Sequence, residues 1–357
     1  MDLATLRLSN QRIASPPSST PGDVVGWLGA VQAQDYLGAL WAVGLRSKTT
    51  EADVERSLAE RTIVRTWPMR GTLHFVAAPD VRWMLELMTP RVIARNRLRL
   101  LREFEINETV IGRSRDLFIQ NLQGGRQLTR DGMYEVLEAE NISAKGQRGL
   151  HILWWLAQEG LLCFGAREGK QQTFVLLDEW LPGAKRLEKD EALAELARRY
   201  FTSRGPATLQ DFAWWSGLTV ADAGAGLDMV APSLLRETIG DQDYWLPFSA
   251  SFERERSPAV HLLPAYDEYT VAYSDRSAVL DPVHAKRAAT GNGIFYPILV
   301  VDGRVVGTWK RTLKRGEVVI TPSPFEPLSK SQARALAPVA RRYGAFLGLE
   351  AVLVPAC

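Results

Sequence analysis

The segment "QLTRDGMYEVLEAENISAKGQRGLHILWWLAQEGLLCFGAREGKQQTFVLLDEWLP", residues 127–182, decides the fold. Thr129 can accept hydrogen bonds from the amides that follow it, and Met133, Val136 and Leu137 recur at helical spacing, which predicts a capped helix. A polar turn, a second helix from about Gly149 and two strands joined by "GAREGKQQ" follow, and that order is a winged helix-turn-helix. About eighty residues further on, residues 191–247 repeat the plan, with Thr208 as cap, "SGLTVADAGAGL" as turn and second helix, and "LRETIGDQDYWL" as a hairpin tipped by "GDQD". The module is duplicated.

Working outward, the first eighty residues fit a third, more diverged copy: a helix over residues 23 to 32, a second from Asp35 or Tyr36 to Leu45, and a third over residues 50 to 60. A strand pair, "IVRTWPMRGTLHFVAA", follows and is expected to turn at Pro68 to Gly71. Between the first and second copies, "TPRVIARNRLRLLREFEINE" predicts one helix opened by Thr89 and Pro90. The last third differs in kind. "AVHLLPAYDEYTVAY" and "GIFYPILVVDGRVVGTWKRTLKRGEVVIT" predict a small sheet with a hairpin at Asp302-Gly303, and "SKSQARALAPVARRYGAFLG" predicts a closing amphipathic helix. The expected fold class is therefore α+β, mainly helical. It has three tandem winged-helix modules (1–80, 121–187 and 188–250), a basic linker helix (81–120) and a C-terminal β-rich subdomain (251–357).

At 357 residues and 46% hydrophobic, the chain can bury several cores, and two to four compact units are expected. The start "MDLATLRLSNQ" lacks the basic and apolar regions of a signal peptide, and no apolar run approaches membrane-spanning length, so a cytoplasmic protein without a membrane partner is expected. Cys163 and Cys357, and His74, His151, His261 and His284, are scattered without ligand spacing, so neither a metal site nor another cofactor is expected. "GAREGKQ" is one residue short of a phosphate loop and has Gln171 in place of Ser or Thr, while "AGAG" at 223–226 has no strand before it. Neither "GxSxG" nor "HExxH" occurs. The net charge of +2 is too mild to identify a nucleic-acid partner, so any basic footprint must be local.

Two local basic patterns fit that description. Arg91, Arg95, Arg99 and Arg102 form one stripe on a helix, able either to track phosphates or to pair with nearby glutamates on a solvated face. Lys310, Arg311, Lys314 and Arg315 are expected to cluster at a hairpin turn, where they either meet a nucleic-acid backbone or keep a sheet edge soluble.

A different feature stands near the start: "VQAQD" places Gln32, Gln34 and Asp35 inside an apolar run. On a continuous helix residues two apart point about 200° from one another, so the two amides would face opposite ways. If one helix ends near Gln32 and Asp35 caps the next, both amides can project into one cleft; the alternative is that they hydrate the last helical carbonyls. In the nearby strand pair, alternation puts Leu73 and Phe75 on one face and Thr72 and His74 on the other. Arg65 and Trp67 are expected to join Thr72 and His74, with Arg70 at the turn and Asp35 beside the glutamines, in a polar and partly aromatic pocket or DNA lining.

Together, "VQAQD", "RTWPMRGTLHFV", "LLPAYDEYTVAYSDR" and "PILVVDGRVVGTWKR" resemble the bacterial winged-helix DNA glycosylases of the AlkZ and YcaQ type. The resemblance covers nearly the whole chain. It implies a concave surface around double-stranded DNA and hydrolysis of the N-glycosidic bond of alkylated purines, including those in interstrand crosslinks; a monomer without cofactor is expected. The family signature is Gln, an apolar residue, then Gln in the AlkZ-like branch or Asp in the other. Gln32, Ala33 and Gln34 match the former, which assigns the catalytic roles to Gln32 and Gln34 and leaves Asp35 outside the signature. Winged helices also serve in regulators, in architectural proteins and in protein-binding scaffolds, so a non-catalytic DNA-binding protein is the competing expectation.

Overall fold

A computed structural model describes residues 2–17, 19–248, 257–291 and 293–355. Cys357 and the expected subdomain boundary at 250/251 lie outside them. The chain folds into two compact units: residues 1–55 with 193–357, and residues 56–192. This division cuts through the expected first module, which gives its helical part to one unit and its strand pair to the other.

In the second unit a hairpin of Ile63–Met69 and Thr72–Ala77 leads into the helix Val81–Phe104. That helix starts well before Thr89 and Pro90, which were expected to open it, and runs through the proline. Thr89 turns its hydroxyl back to the Leu85 carbonyl (2.8 Å) and also donates to the Gln158 carbonyl (2.7 Å) instead of capping a terminus. Nor is the stretch 81–120 one helix. Glu105 adopts a left-handed conformation (φ 55°) and Asn107 caps a separate helix, Glu108–Leu122, by accepting from the Val110 amide.

The segment 127–182 follows in the expected element order. Thr129 caps Arg130–Ala139, Arg148–Gln158 is the second helix, and "GAREGKQQ" joins Leu162–Phe164 to Thr173–Leu176. The short strand Leu128–Thr129 pairs with Thr173–Leu176 and completes a three-stranded sheet. Met133, Leu137, Ile152, Leu156, Phe174 and Phe118 close the core of this unit.

In the first unit Thr208 and Asp211 form a reciprocal capping box on Leu209–Ser216, Val220–Val230 carries "AGAG" within a helix, and Leu234–Ile239 pairs with Gln242–Pro247. The C-terminal region is β-rich, giving an α+β chain. A five-stranded sheet is ordered Glu350–Leu353, Glu317–Pro324, Arg304–Lys314, Ile298–Val301, Val260–Leu263. Asp302 (φ 47°) and Gly303 (φ 79°) supply the positive φ pair of a two-residue hairpin. The closing helix Lys330–Leu347 begins at a Ser329–Gln332 capping box and stops at left-handed Gly348. Among the described residues no helix is long and apolar enough to cross a membrane.

Candidate active site

The stretch around Gln32 is broken, four residues earlier than expected. The helix Pro21–Leu28 ends at Gly29, whose φ of 73° and ψ of −51° suit only glycine. A short strand, Ala30–Gln32, follows, and the next helix, Tyr36–Ser47, starts after a bend at Gln34 and Asp35. Because no helical turn spans residues 29–35, the opposed directions of a continuous helix do not apply to the two glutamines. Gln32 is 9% exposed and Ala33 is fully buried, whereas Gln34 is open to solvent. Asp35 occupies the N-cap position with extended torsions, as expected, but its side chain makes no capping hydrogen bond. Instead its carboxylate lies over Gly38, where a Cβ would come within 2.7 Å of Oδ2.

Behind this joint stands a carboxylate that sequence reading passed over. Glu268 accepts the Gln32 backbone amide at Oε1 (3.0 Å) and the Trp215 indole N–H at Oε2 (2.9 Å). Its Oε2 also accepts Arg204 Nη2 (2.6 Å) and Nε (3.2 Å), and both ionic side chains are fully buried. The available signal was "YDEY", in which two acidic residues sit beside an apolar strand, but nothing in the sequence linked Glu268 to a residue 236 positions away.

The hairpin lies in the other unit. Its two-residue turn is Arg70-Gly71, both with positive φ, rather than the wider Pro68 to Gly71. Register then corrects the expected pocket: Thr66 faces His74 and Arg65 faces Phe75. Directly paired residues share a face, so Arg65 stands on the Leu73 and Phe75 side and not with Thr72 and His74. Trp67 joins Arg65 across the irregularity between Thr66 and Met69. These two line a cavity of about 460 Å³ with Leu73, Phe164, Phe174 and Arg130. The Arg65 guanidinium stands 4.9 Å from the Phe164 ring centre, and Trp67 packs on the same ring at 5.1 Å.

His74 is fully buried. Its Nδ1 donates to the Thr72 carbonyl (2.9 Å), and its Nε2 lies 3.4 Å from Arg70 Nη2. Thr72 itself donates to the Met69 carbonyl across the turn (3.4 Å).

The basic patterns separate as well. Arg91, Arg95, Arg99 and Arg102 are all exposed along Val81–Phe104, and Arg99 reaches Glu103 (3.4 Å) and Asn96 (3.3 Å). Lys310 and Arg311 do not sit at a turn: they pair with Thr321 and Ile320 inside the ladder, and the hairpin reverses at Arg315-Gly316. Lys310 is exposed, while Arg311 on the opposite face donates to the Tyr343 hydroxyl of the closing helix. Only Lys314 and Arg315 approach the tip, and Lys314 pairs with Glu317 (3.2 Å).

A family model described as "DNA glycosylase AlkZ-like" matches residues 25–346. The chain belongs to the AlkZ-like DNA glycosylase family. A curated relative from Streptomyces sahachiroi, named "Interstrand DNA cross-link repair glycosylase", is 29% identical over 345 residues, covering 89% of each chain. The solved structure of Streptomyces sahachiroi DNA glycosylase AlkZ superposes with a TM-score of 0.81 over 99% of this chain and 98% of that one, at 24% identity, which shows a shared fold. As an AlkZ-like enzyme, this chain is a DNA glycosylase and acts on DNA.

Proposed function

We propose that this glycosylase is monofunctional and hydrolyses the N-glycosidic bond of N3- or N7-alkylated purines in duplex DNA, with Gln32 and Gln34 as its catalytic pair. The observation that carries this reading is the non-helical joint at residues 29–35, which frees two neutral amides from a helical ladder and lies on a fixed backbone. A purine alkylated at N3 or N7 is cationic and departs as a neutral base, so it needs little acid catalysis. An amide is no general base at neutral pH, but its carbonyl can orient a water and oppose the positive charge developing at the anomeric carbon. The joint "GAVQAQD" offers no amine nucleophile, in keeping with hydrolysis rather than lyase chemistry. Undamaged bases, with stronger glycosidic bonds, gain too little from such a site to be released.

The name of the Streptomyces relative supports extending the substrate class to interstrand crosslinks. A crosslinked base cannot swing fully out of the duplex, so an open joint with an exposed Gln34 suits it better than a deep pocket. The repeated order of helices and hairpins supports three winged-helix modules at 1–80, 121–187 and 188–250, with 81–120 joining the first two and 251–357 as the β-rich subdomain; on this reading the enzyme works as a cytoplasmic monomer. The test is incubation with duplex carrying 7-methylguanine, scored for abasic sites. Gln32→Ala and Gln34→Ala are each expected to lose about 10²–10³-fold in single-turnover rate, the range for removing one stabilising group, with DNA binding retained. Full release by the double variant overturns the assignment.

A further inference from the structure

We propose that Glu268 and Arg204 are positioning residues that set the geometry of the Gln32-Ala33-Gln34 joint; the proposal rests on the catalytic reading of those glutamines. Arg204 Nη1 donates to the Leu28 carbonyl (2.6 Å) and Nη2 to the Ala30 carbonyl (2.9 Å), while Glu268 takes the Gln32 amide (3.0 Å). One buried ion pair thus grips the backbone at residues 28, 30 and 32, from the last turn of a helix to the first catalytic glutamine. The Trp215 ring lies 4.3 Å from the Arg204 guanidinium and donates its own N–H to the same carboxylate, so neither partner can shift alone.

The adjacent acid holds the far end of the helix that follows the joint. Asp267 binds Arg46 of the helix Tyr36–Ser47 through two contacts (2.9 and 2.8 Å), again fully buried, and Trp41 of that helix donates to the Leu262 carbonyl (2.7 Å). Two consecutive carboxylates on the short helix at Glu268–Val271 and its cap therefore hold the joint itself, at the Gln32 amide, and the last turn of the helix that follows it, at Arg46. A buried ion pair is a poor way to gain stability, since apolar residues of the same volume do as well or better. Its distinguishing property here is direction. It donates to two carbonyls and accepts one amide along a segment that has no helical ladder, and a Gln32 amide held at a fixed point fixes where the side chain leaves the backbone. Preorganisation within a fraction of an ångström is what water-orienting groups require.

The test is single-turnover release of 7-methylguanine by the full chain at saturating enzyme, alongside affinity for undamaged duplex. Glu268→Gln is expected to lower the rate at least tenfold while duplex affinity stays within twofold. Leu336→Ala, a buried deletion in the closing helix, serves as a control for lost stability and is expected to keep its rate per folded molecule. Hydrogen exchange of peptides spanning residues 28–35 should quicken in Glu268→Gln and not in Leu336→Ala. Where Glu268→Gln does not fold, Arg204→Lys carries the same comparison, because it keeps the charge and loses the fork on the two carbonyls. A wild-type rate per folded molecule in the glutamate or arginine variant, with Gln32→Ala inactive, overturns this proposal alone; full activity of both glutamine variants overturns the catalytic reading beneath it.

Discussion

Arg46 illustrates what a single buried charge contributes. It is fully buried, bidentate with Asp267, and also donates to the carbonyls of Gln11 and Ala42, so every direction its guanidinium points is occupied by an acceptor. Removing it leaves Asp267 charged and dry. Arg46→Ala is therefore expected to cost about 3–5 kcal/mol of unfolding free energy, read from the midpoint of urea denaturation. Replacing both partners, as in Arg46→Met with Asp267→Asn, should restore a large part of the loss, since asparagine can still accept the Tyr269 amide that Asp267 accepts now (2.9 Å). If the double variant is no more stable than the single one, the pair itself is the source of stability. Cys163 provides a contrast: burial pushes its thiol far up, leaving a small apolar side chain with no nucleophilic role.

Among the elements, the joint depends on where a helix stops. Gly29 holds φ 73°, yet a Cβ there would meet nothing nearer than 3.7 Å, on Arg199 and Trp215. The penalty of Gly29→Ala is therefore torsional rather than steric, about 1–3 kcal/mol by denaturation, unless the helix runs on and carries Gln32 and Gln34 into opposed directions. Circular dichroism showing added helix together with lost excision would identify the second outcome. On Arg148–Gln158, His151 packs at a tilt against Phe104, with ring centres 4.3 Å apart, and burial lowers its pKa, with Arg99 lowering it further and Glu103 opposing. Because the folded value is depressed below that of a free imidazole, about 6.5, the stabilising contribution is complete above that pH and is lost as pH falls through the folded value. An NMR titration should find His151 below the free value, and Arg99→Gln should move it upward. Features set by neighbours in sequence were legible: the Thr129 and Thr208 caps, the Asp302-Gly303 turn, the closing helix and the strands flanking "GAREGKQQ". Features set by pairing were not. The irregularity beside Pro68 puts Arg65 opposite Phe75, and no local pattern reports such a register. Gln32 and Gln34 were singled out by an odd placement and by family resemblance, while Glu268 and Arg204, which hold the joint, look from sequence like ordinary charged residues.

For the whole molecule, a net charge of +2 means that attraction to DNA cannot come from the average field and must come from a few cations set against the phosphates. The exposed arginines of Val81–Phe104 are one of the two basic groups that the sequence suggested, but they are unequal as candidates. Arg99 is already directed toward Glu103 and Asn96, so its release on binding returns less than that of Arg91, Arg95 or Arg102. Lys310 and Arg311 are unequal in the same way, since Arg311 is engaged by Tyr343 and Lys310 is exposed. Each phosphate neutralised contributes about 0.9 to the slope of log K against log salt. Replacing Arg91, Arg95 and Arg102 together by glutamine should therefore reduce that slope by up to about three, one contact per arginine. Arg99→Gln and Arg311→Gln should each change it by less than one, and Lys310→Gln by about one. Binding to duplexes of unrelated sequence should weaken in parallel, because phosphate contacts carry no base information. An unchanged slope in the triple variant would mean that the arginine row is a solvated helix face, and that the grip on DNA lies elsewhere in the chain.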